Sequence, residues 1–151
     1  MQFPKEYRQL IIQTMDKNGW IELPAQGTSM YPYIKMGDIC RFVPAQADHI
    51  KKGDVVLFLT RYGSLVAHRL LRKAVLEQGF ILHCKGDTNL ACDEGIDQEL
   101  LIGRMDWIQR NERIIHVDGW AAQAWGYIVL GVPSISFVLN YYVARRKRAQ
   151  G

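Results

Sequence analysis

The sequence has few cysteines, no metal-ligand pattern and no leader-like amino terminus. Its three cysteines, Cys40, Cys84 and Cys92, include no CxxC pair, which excludes a zinc ribbon and a disulfide scaffold, so we expect free thiols in a reducing compartment. No histidine pair has zinc-ligand spacing, and no glycine-rich phosphate loop occurs. The first 20 residues carry five charges and lack the apolar run of a signal peptide. The sequence therefore predicts no cofactor and no metal.

The basic excess is confined to the carboxyl terminus. The chain has 151 residues, with 19 Lys and Arg against 15 Asp and Glu, and residues 145–148 supply four of the basic ones. The rest of the chain is neutral, so we do not expect a nucleic-acid partner. A hydrophobic content of 48% and a charged content of 23% are typical of one globular domain of this length.

Short apolar runs separated by turn residues predict a mainly antiparallel β domain, a barrel or a sandwich. The runs cover residues 20–23, 39–43, 55–60, 65–71, 80–84, 100–103 and 114–117. Gly-Asp pairs at residues 37–38 and 53–54 precede two of these runs as turns, and residues 62–64 are predicted to form a hairpin tip.

An amphipathic helix is predicted before the first run. Its apolar face repeats at helical spacing, with Pro4 at its start and Gly19 at its end. The residues of this face are Tyr7, Leu10, Ile11, Thr14 and Met15. We expect this helix to pack as a cap on the core of the β domain.

The carboxyl-terminal region is apolar and uncharged. Residues 119–144 are 26 positions without a charge, more than the ~20 that span a hydrocarbon core as a helix. Aromatic residues near both ends resemble interfacial belts, whereas Gly131, Pro133 and Asn140 dilute the apolar character. Three interpretations stay open: a membrane-spanning helix, which we prefer, an interfacial or re-entrant segment, or a buried helix. We expect membrane lipid as a partner and a single anchor in the cell membrane, with the basic tail in the cytoplasm.

The sharpest local motif is GTSMYP at residues 27–32, a serine in a glycine and proline turn. A serine in such a turn does not by itself indicate catalysis, because its hydroxyl group needs a base to become a nucleophile. Further blocks follow in order: MGD at residues 36–38, KGDVVLF at 52–58, AHRL at 67–70, KGDTN at 85–89 and DEG at 93–95. This ordered set resembles the type I signal peptidase superfamily, which includes the self-cleaving repressors of the SOS response. The resemblance covers about residues 20–104.

Within that superfamily the sequence is most similar to the endoplasmic-reticulum, archaeal and sporulation-associated branch, because the base position holds His68. The resemblance implies Ser29 as nucleophile, His68 as general base and Asp93 as the carboxylate that orients His68. Many family members carry a hydroxyl residue two positions before the nucleophile, where this chain has Gly27. The oxyanion hole is therefore expected to use the backbone amide of Ser29, with Thr28 as a helper.

Three further residues take supporting roles in this interpretation. Asp87 is expected to be a structural carboxylate paired with Arg69 or Lys85. Lys85 is also the one rival to His68 as base, although it belongs to the KGDTN block and not to the block before it. The resemblance also implies shallow pockets for small substrate residues, and we expect their walls to include side chains such as Met30, Tyr31, Phe58 and Val66.

The predicted organisation is a helix at residues 1–19, a catalytic β domain at 20–118 of the antiparallel signal-peptidase and SOS-repressor type, a membrane segment at 119–144 and a basic tail at 145–151. The function implied is a membrane-associated serine endopeptidase that removes leader segments from precursor polypeptides. Two alternatives are a cytoplasmic peptidase of the SOS-repressor branch and a catalytically inactive β domain used for binding. The oligomeric state is not predicted.

Overall fold

The predicted amino-terminal helix, α1, spans Lys5–Asn18 in a computed structural model that describes residues 5–150. It ends as predicted at Gly19, which has a φ of +80° and donates its amide to the Met15 carbonyl at 2.7 Å. Pro4, the predicted start, lies outside the described residues. The helix lies against the first two strands.

The predicted apolar face of α1 is only partly buried. Ile11 and Met15 enter the core, whereas about half of the Tyr7 and Leu10 surfaces stays exposed. A β-carbon on Gly103 of the sheet would lie 2.7 Å from the Met15 methyl group, so the helix packs closely on the sheet at this point. The spacing of apolar residues in the sequence predicts which side chains share a face of the helix. How many of them are buried depends on how much of the helix the sheet covers.

The strands form one antiparallel sheet in the described chain, so the predicted antiparallel β class is confirmed. They are β1 (Ile21–Pro24), β2 (Ile39–Pro44), β3 (Val55–Leu59), β4 (Leu65–Leu76), β5 (Gly79–Lys85), β6 (Ile96–Asp97), β7 (Leu101–Arg110) and β8 (Arg113–His116). The order is β1-β2-β7-β3-β4-β5-β6, with β8 paired to β7, and the sheet curls into a half-barrel. Strand β6 was not predicted, because two residues carry no periodic signal.

Strand β3 separates two hydrophobic clusters. Val55, Leu57 and Leu59 belong to the cluster that also receives α1, whereas Val56 and Phe58 belong to the cluster under β4, β5 and β6. Successive side chains of a strand point to opposite faces, so a strand buried on both faces is apolar at every position. This explains the continuous VVLFL run.

The predicted turns are present. Gly37 and Gly53 have φ values of +88° and +96°, which favour glycine. The carboxylates of Asp38 and Asp54 each accept the amide of the residue three positions earlier, at 2.8 and 2.9 Å. Residues 62–64 form the β3–β4 hairpin tip, where Thr60 donates its amide to the Ser64 carbonyl at 2.8 Å.

The carboxyl-terminal region is two helices, so the prediction of one continuous helix over residues 119–144 is wrong. Helix α2 spans Trp120–Gly131, α3 spans Pro133–Ala149, and the chain bends by 100° between them. Pro133 has no amide hydrogen, and its ring blocks a preceding helical turn, so the helix stops at Val132 and restarts. In the described chain no single helix is long and apolar enough to cross a membrane, while the bent pair qualifies by length and composition. Helix α3 also continues through the basic cluster.

Candidate active site

Ser29 lies in the turn that connects β1 to β2. The turn is anchored by the buried side chain of Met30, whose carbonyl accepts the Ile34 amide at 2.9 Å. The Thr28 carbonyl accepts the Tyr31 amide at 3.1 Å. Ser29 itself stays partly accessible at the surface of the sheet. The turn thus presents a hydroxyl group on a backbone that the core holds in place.

The KGDTN block packs directly against this turn. The Ser29 carbonyl accepts the Thr88 amide at 2.9 Å and the Thr88 hydroxyl at 3.1 Å. A β-carbon on Gly86 would lie 2.8 Å from the same carbonyl, so this close approach requires glycine. Sequence analysis missed Thr88, although it belongs to a block that had been singled out.

His68 reaches Ser29 from strand β4. It lies on β4 opposite Val56 of β3, and its side chain is 10% exposed. The imidazole Nε2 lies 3.0 Å from the Ser29 Oγ, and the edge of the ring faces Phe58 at a centroid distance of 6.3 Å. The predicted nucleophile and base therefore lie within hydrogen-bond distance of each other.

Asp93 completes a chain of three side chains. Its Oδ2 lies 2.7 Å from His68 Nδ1, and its amide donates to the Cys84 carbonyl at 2.9 Å. An ionised carboxylate only accepts hydrogen bonds, so Nδ1 carries the proton and the lone pair of Nε2 faces the Ser29 hydroxyl. This tautomer can take a proton from Ser29.

The backbone amide of Ser29, which is the predicted oxyanion donor, makes no hydrogen bond to another of the described residues 5–150. The Thr28 side chain likewise has no protein partner among these residues, while its carbonyl accepts from the Thr88 hydroxyl at 3.2 Å. Thr88 thus fixes the peptide units on both sides of the Ser29 α-carbon, and the first of these contains the Ser29 amide. A free, oriented amide beside the nucleophile is what an oxyanion hole needs.

Asp87 pairs with Arg69 and not with Lys85. Two parallel hydrogen bonds of 2.8 Å join the guanidinium to the carboxylate, and the side chains are 4% and 2% exposed. The Trp125 indole of α2 donates to the same carboxylate at 2.8 Å. Arg69 follows His68 on β4 and therefore points to the other face of the strand. Sequence analysis did not predict the contact of Trp125 with Asp87, because Trp125 belongs to the apolar region that was interpreted as a membrane segment.

Lys85 donates to the Ser136 hydroxyl of α3 at 2.9 Å. Within the described residues it makes no hydrogen bond to Ser29, whose Oγ instead faces His68. Two more contacts join α3 to the site: Asn140 donates to the Thr88 carbonyl at 3.2 Å, and Tyr142 stacks on Tyr31 at 5.9 Å. The helix pair therefore packs on both loops that shape the site.

Ser29 and His68 line a cleft of about 470 Å³. One wall is formed by residues 23–27, and the other by Leu65, Val66 and Ala67 of β4. Met30 and Val66 line it, as predicted. Tyr31 and Phe58 do not, because Tyr31 stacks on α3 and Phe58 is buried in the core. The lining is mostly apolar and contains small side chains.

The three cysteines are free thiols, and two of them are buried. Burial raises the pKa of Cys84 to about 12, and nearby Asp93 adds to the rise. Burial raises the pKa of Cys40 to about 12 as well. The thiolate is the reactive form, so both thiols stay protonated and inert at neutral pH.

Iodoacetamide at about pH 8 is therefore expected to label Cys92, which is exposed, and to leave Cys40 and Cys84 unmodified in the folded protein. Peptide mass spectrometry locates the label, and the same reaction in denaturant, where all three react, is the control. Rapid labelling of Cys84 without denaturant would contradict the burial described here.

No metal-binding group of three or more acidic, histidine or cysteine side chains occurs in the described part of the chain. Comparison of the sequence with protein-family models and with curated proteins finds no match.

Proposed function

We propose that the protein is a serine endopeptidase of the type I signal peptidase kind that uses Ser29 and His68. The observation that carries the proposal is the array Ser29–His68–Asp93, with contacts of 3.0 and 2.7 Å, whose first two members line an apolar cleft. The three residues come from separate parts of the chain and meet in the order that nucleophilic catalysis needs. The half-barrel sheet is proposed to be the catalytic fold of that superfamily.

The proposed reaction begins with attack of Ser29 Oγ on the scissile carbonyl carbon while His68 Nε2 takes the hydroxyl proton. Asp93 stabilises the resulting imidazolium, and the Ser29 amide donates to the oxyanion. His68 then gives its proton to the leaving amine as the peptide C–N bond breaks. Water, deprotonated by His68, hydrolyses the acyl-enzyme and regenerates Ser29.

The cleft suits an extended polypeptide. Strand β1 is an edge of the sheet, and residues 65–68 of β4 pair with β3 only, because pairing with β5 begins at Arg69. The cleft runs between these two strand edges, whose backbone groups can pair with an inserted strand. The cleft is lined by the small residues Ala25, Gly27 and Ala67, which suit the binding of a polypeptide segment with small, apolar side chains. We therefore propose precursor polypeptides as substrates.

The proposal is tested by incubating a panel of leader-containing precursors in detergent with the full chain and with its Ser29→Ala variant. Product termini are read by mass spectrometry. We expect cuts after small residues by the natural sequence and none by Ser29→Ala. Ser64→Ala is the matched control, because Ser64 lies at the hairpin tip and its hydroxyl makes no hydrogen bond in the described chain.

Equal cleavage by Ser29→Ala and the natural sequence would overturn the assignment of the nucleophile. Absence of cleavage by both, together with no reaction of Ser29 with a fluorophosphonate probe, would favour the inactive binding domain instead.

A further inference from the structure

The helix pair α2–α3 has one face against the body and one face open. Ala122, Gly126 and Val129 of α2 and Ser136 of α3 are buried against the body. A β-carbon on Gly126 would lie 3.3 Å from the Arg69 guanidinium, so α2 lies close to the sheet. With the Trp125, Ser136 and Asn140 hydrogen bonds, these contacts fix the orientation of both helices.

The open face is apolar and aromatic. Its large side chains are Trp120, Tyr127, Ile128, Phe137, Val138 and Tyr141, all of them exposed. On α3 the three positions 137, 138 and 141 share one side, as helical spacing requires, and Tyr142 lies at the edge of this face, where it stacks on Tyr31. No described residue carries a charge between positions 119 and 144. An exposed surface of this kind marks an interaction site.

Neither helix has the dimensions of a membrane span. Helix α2 has 12 residues and is therefore about 18 Å long. The uncharged part of α3 before the basic cluster is of similar length, whereas the hydrocarbon core of a bilayer is ~30 Å thick. The 100° bend prevents the two helices from acting as one rod. Aromatic side chains with polar atoms suit the membrane interface instead.

Positive charge lies at the end of the same surface. Residues 145–148 are exposed on the last turns of α3, where the helix dipole also favours cations. Lys51 and Lys52 add two cations across a cavity of about 400 Å³ from Tyr127 of α2. Basic residues next to an apolar, aromatic surface attract anionic lipid headgroups.

We propose that α2 and α3 lie in the plane of an anionic bilayer surface, with their open aromatic face in the headgroup region and the basic cluster on the headgroups. The body holds the pair in its bent form, so the protein binds on the membrane and does not span it. The contacts of α3 with residues 85–89 place the Ser29 site beside that surface. This proposal does not depend on the proposed peptidase activity.

The test is flotation of the full chain with vesicles of phosphatidylcholine alone and with vesicles that also contain phosphatidylglycerol. We expect binding to the mixed vesicles that weakens at high salt, and at least about tenfold weaker binding to the neutral ones. Alkaline carbonate is expected to release the bound protein. The Ser29→Ala variant is expected to bind equally, which separates lipid binding from catalysis.

The variant Phe137→Ser/Tyr141→Ser is expected to bind mixed vesicles about tenfold more weakly. Tyr62→Ser is the matched control, because Tyr62 and Phe137 are both 68% exposed but Tyr62 lies at the β3–β4 tip. Arg145→Gln/Arg146→Gln is expected to remove the preference for anionic lipid. Circular dichroism verifies that each variant is folded.

Three outcomes would overturn the proposal. Resistance to carbonate extraction would indicate a spanning segment. Equal binding to neutral and anionic vesicles would remove the role of the basic cluster. A concentration-dependent dimer that Phe137→Ser/Tyr141→Ser abolishes, with no vesicle binding, would assign the open face to a second copy of the chain.

Discussion

Replacing His68 by alanine is expected to reduce peptide hydrolysis by at least about a thousandfold, because Ser29 loses the base that takes its proton. Ser29→Ala is expected to have an effect of similar size. The double variant is expected to be no worse than either single one, since residues that act as one unit are not additive. Initial rates on one cleaved precursor measure all three variants.

The matched control is His49→Ala, because His49 is an exposed histidine that pairs with Asp48 and does not line the Ser29 cleft. It is expected to keep full activity. Thermal unfolding of each variant separates lost chemistry from lost structure. A His68→Ala protein that retains activity within twofold of the natural sequence would remove His68 from the mechanism.

Asp93→Asn extends the same argument. An amide in place of the carboxylate can donate to Nδ1 and thereby favour the tautomer with its proton on Nε2, which cannot accept from Ser29. The fold is expected to survive this nearly isosteric change. The rate is expected to fall steeply with little change in KM, because the substrate cleft is intact.

Replacing Asp87 by alanine is expected to lower the free energy of unfolding by about 3–5 kcal/mol, because Arg69 then keeps a buried charge without its partner. The Trp125 indole loses its acceptor in the same step. For a chain of this length the midpoint of thermal unfolding is expected to fall by roughly 10 °C. Urea and thermal unfolding followed by circular dichroism measure the effect.

The control for this prediction is the ion pair between Arg61 and Glu94, whose side chains are each 64% exposed at a distance of 3.1 Å. Glu94→Ala is expected to cost less than about 1 kcal/mol, since water screens an exposed pair. An Asp87→Ala variant as stable as Glu94→Ala would show that the Arg69–Asp87 pair does not hold α2 to the sheet.

Strand β4 connects these two predictions. His68 and Arg69 are neighbours in the AHRL block and point to opposite faces, one toward Ser29 and the other toward Asp87 and Trp125. Lys85 and Asp87 belong to a second block that also contains the anchors Gly86 and Thr88. The AHRL block therefore contains one residue of the proposed triad and one residue of a buried ion pair, whereas the named residues of the KGDTN block make supporting contacts only.

Local sequence patterns determined much of the fold. Alternating and continuous apolar runs predicted most of the strands. The Gly-Asp turns were placed correctly because they depend on neighbouring residues only: the glycine adopts a positive φ, and the aspartate accepts the amide of the residue three positions earlier. The candidate site residues came from the order of the sequence blocks and their resemblance to a family. Composition and periodicity alone identify no partner for Ser29.

Only the tertiary structure decided which distant residues meet. Ser29 and His68 are 39 positions apart, and Asp93 is 25 further along the chain, so their contacts depend on strand register and on the path of the loops. The sequence likewise did not reveal the 100° bend between α2 and α3 or the hydrogen bond from Trp125 to Asp87, because both depend on how the two helices pack on the sheet. An apolar run indicates that a segment is buried, but it does not identify whether lipid or protein covers the segment. The packing of the whole chain decides this. In α2 and α3 the protein covers one face and leaves the other exposed.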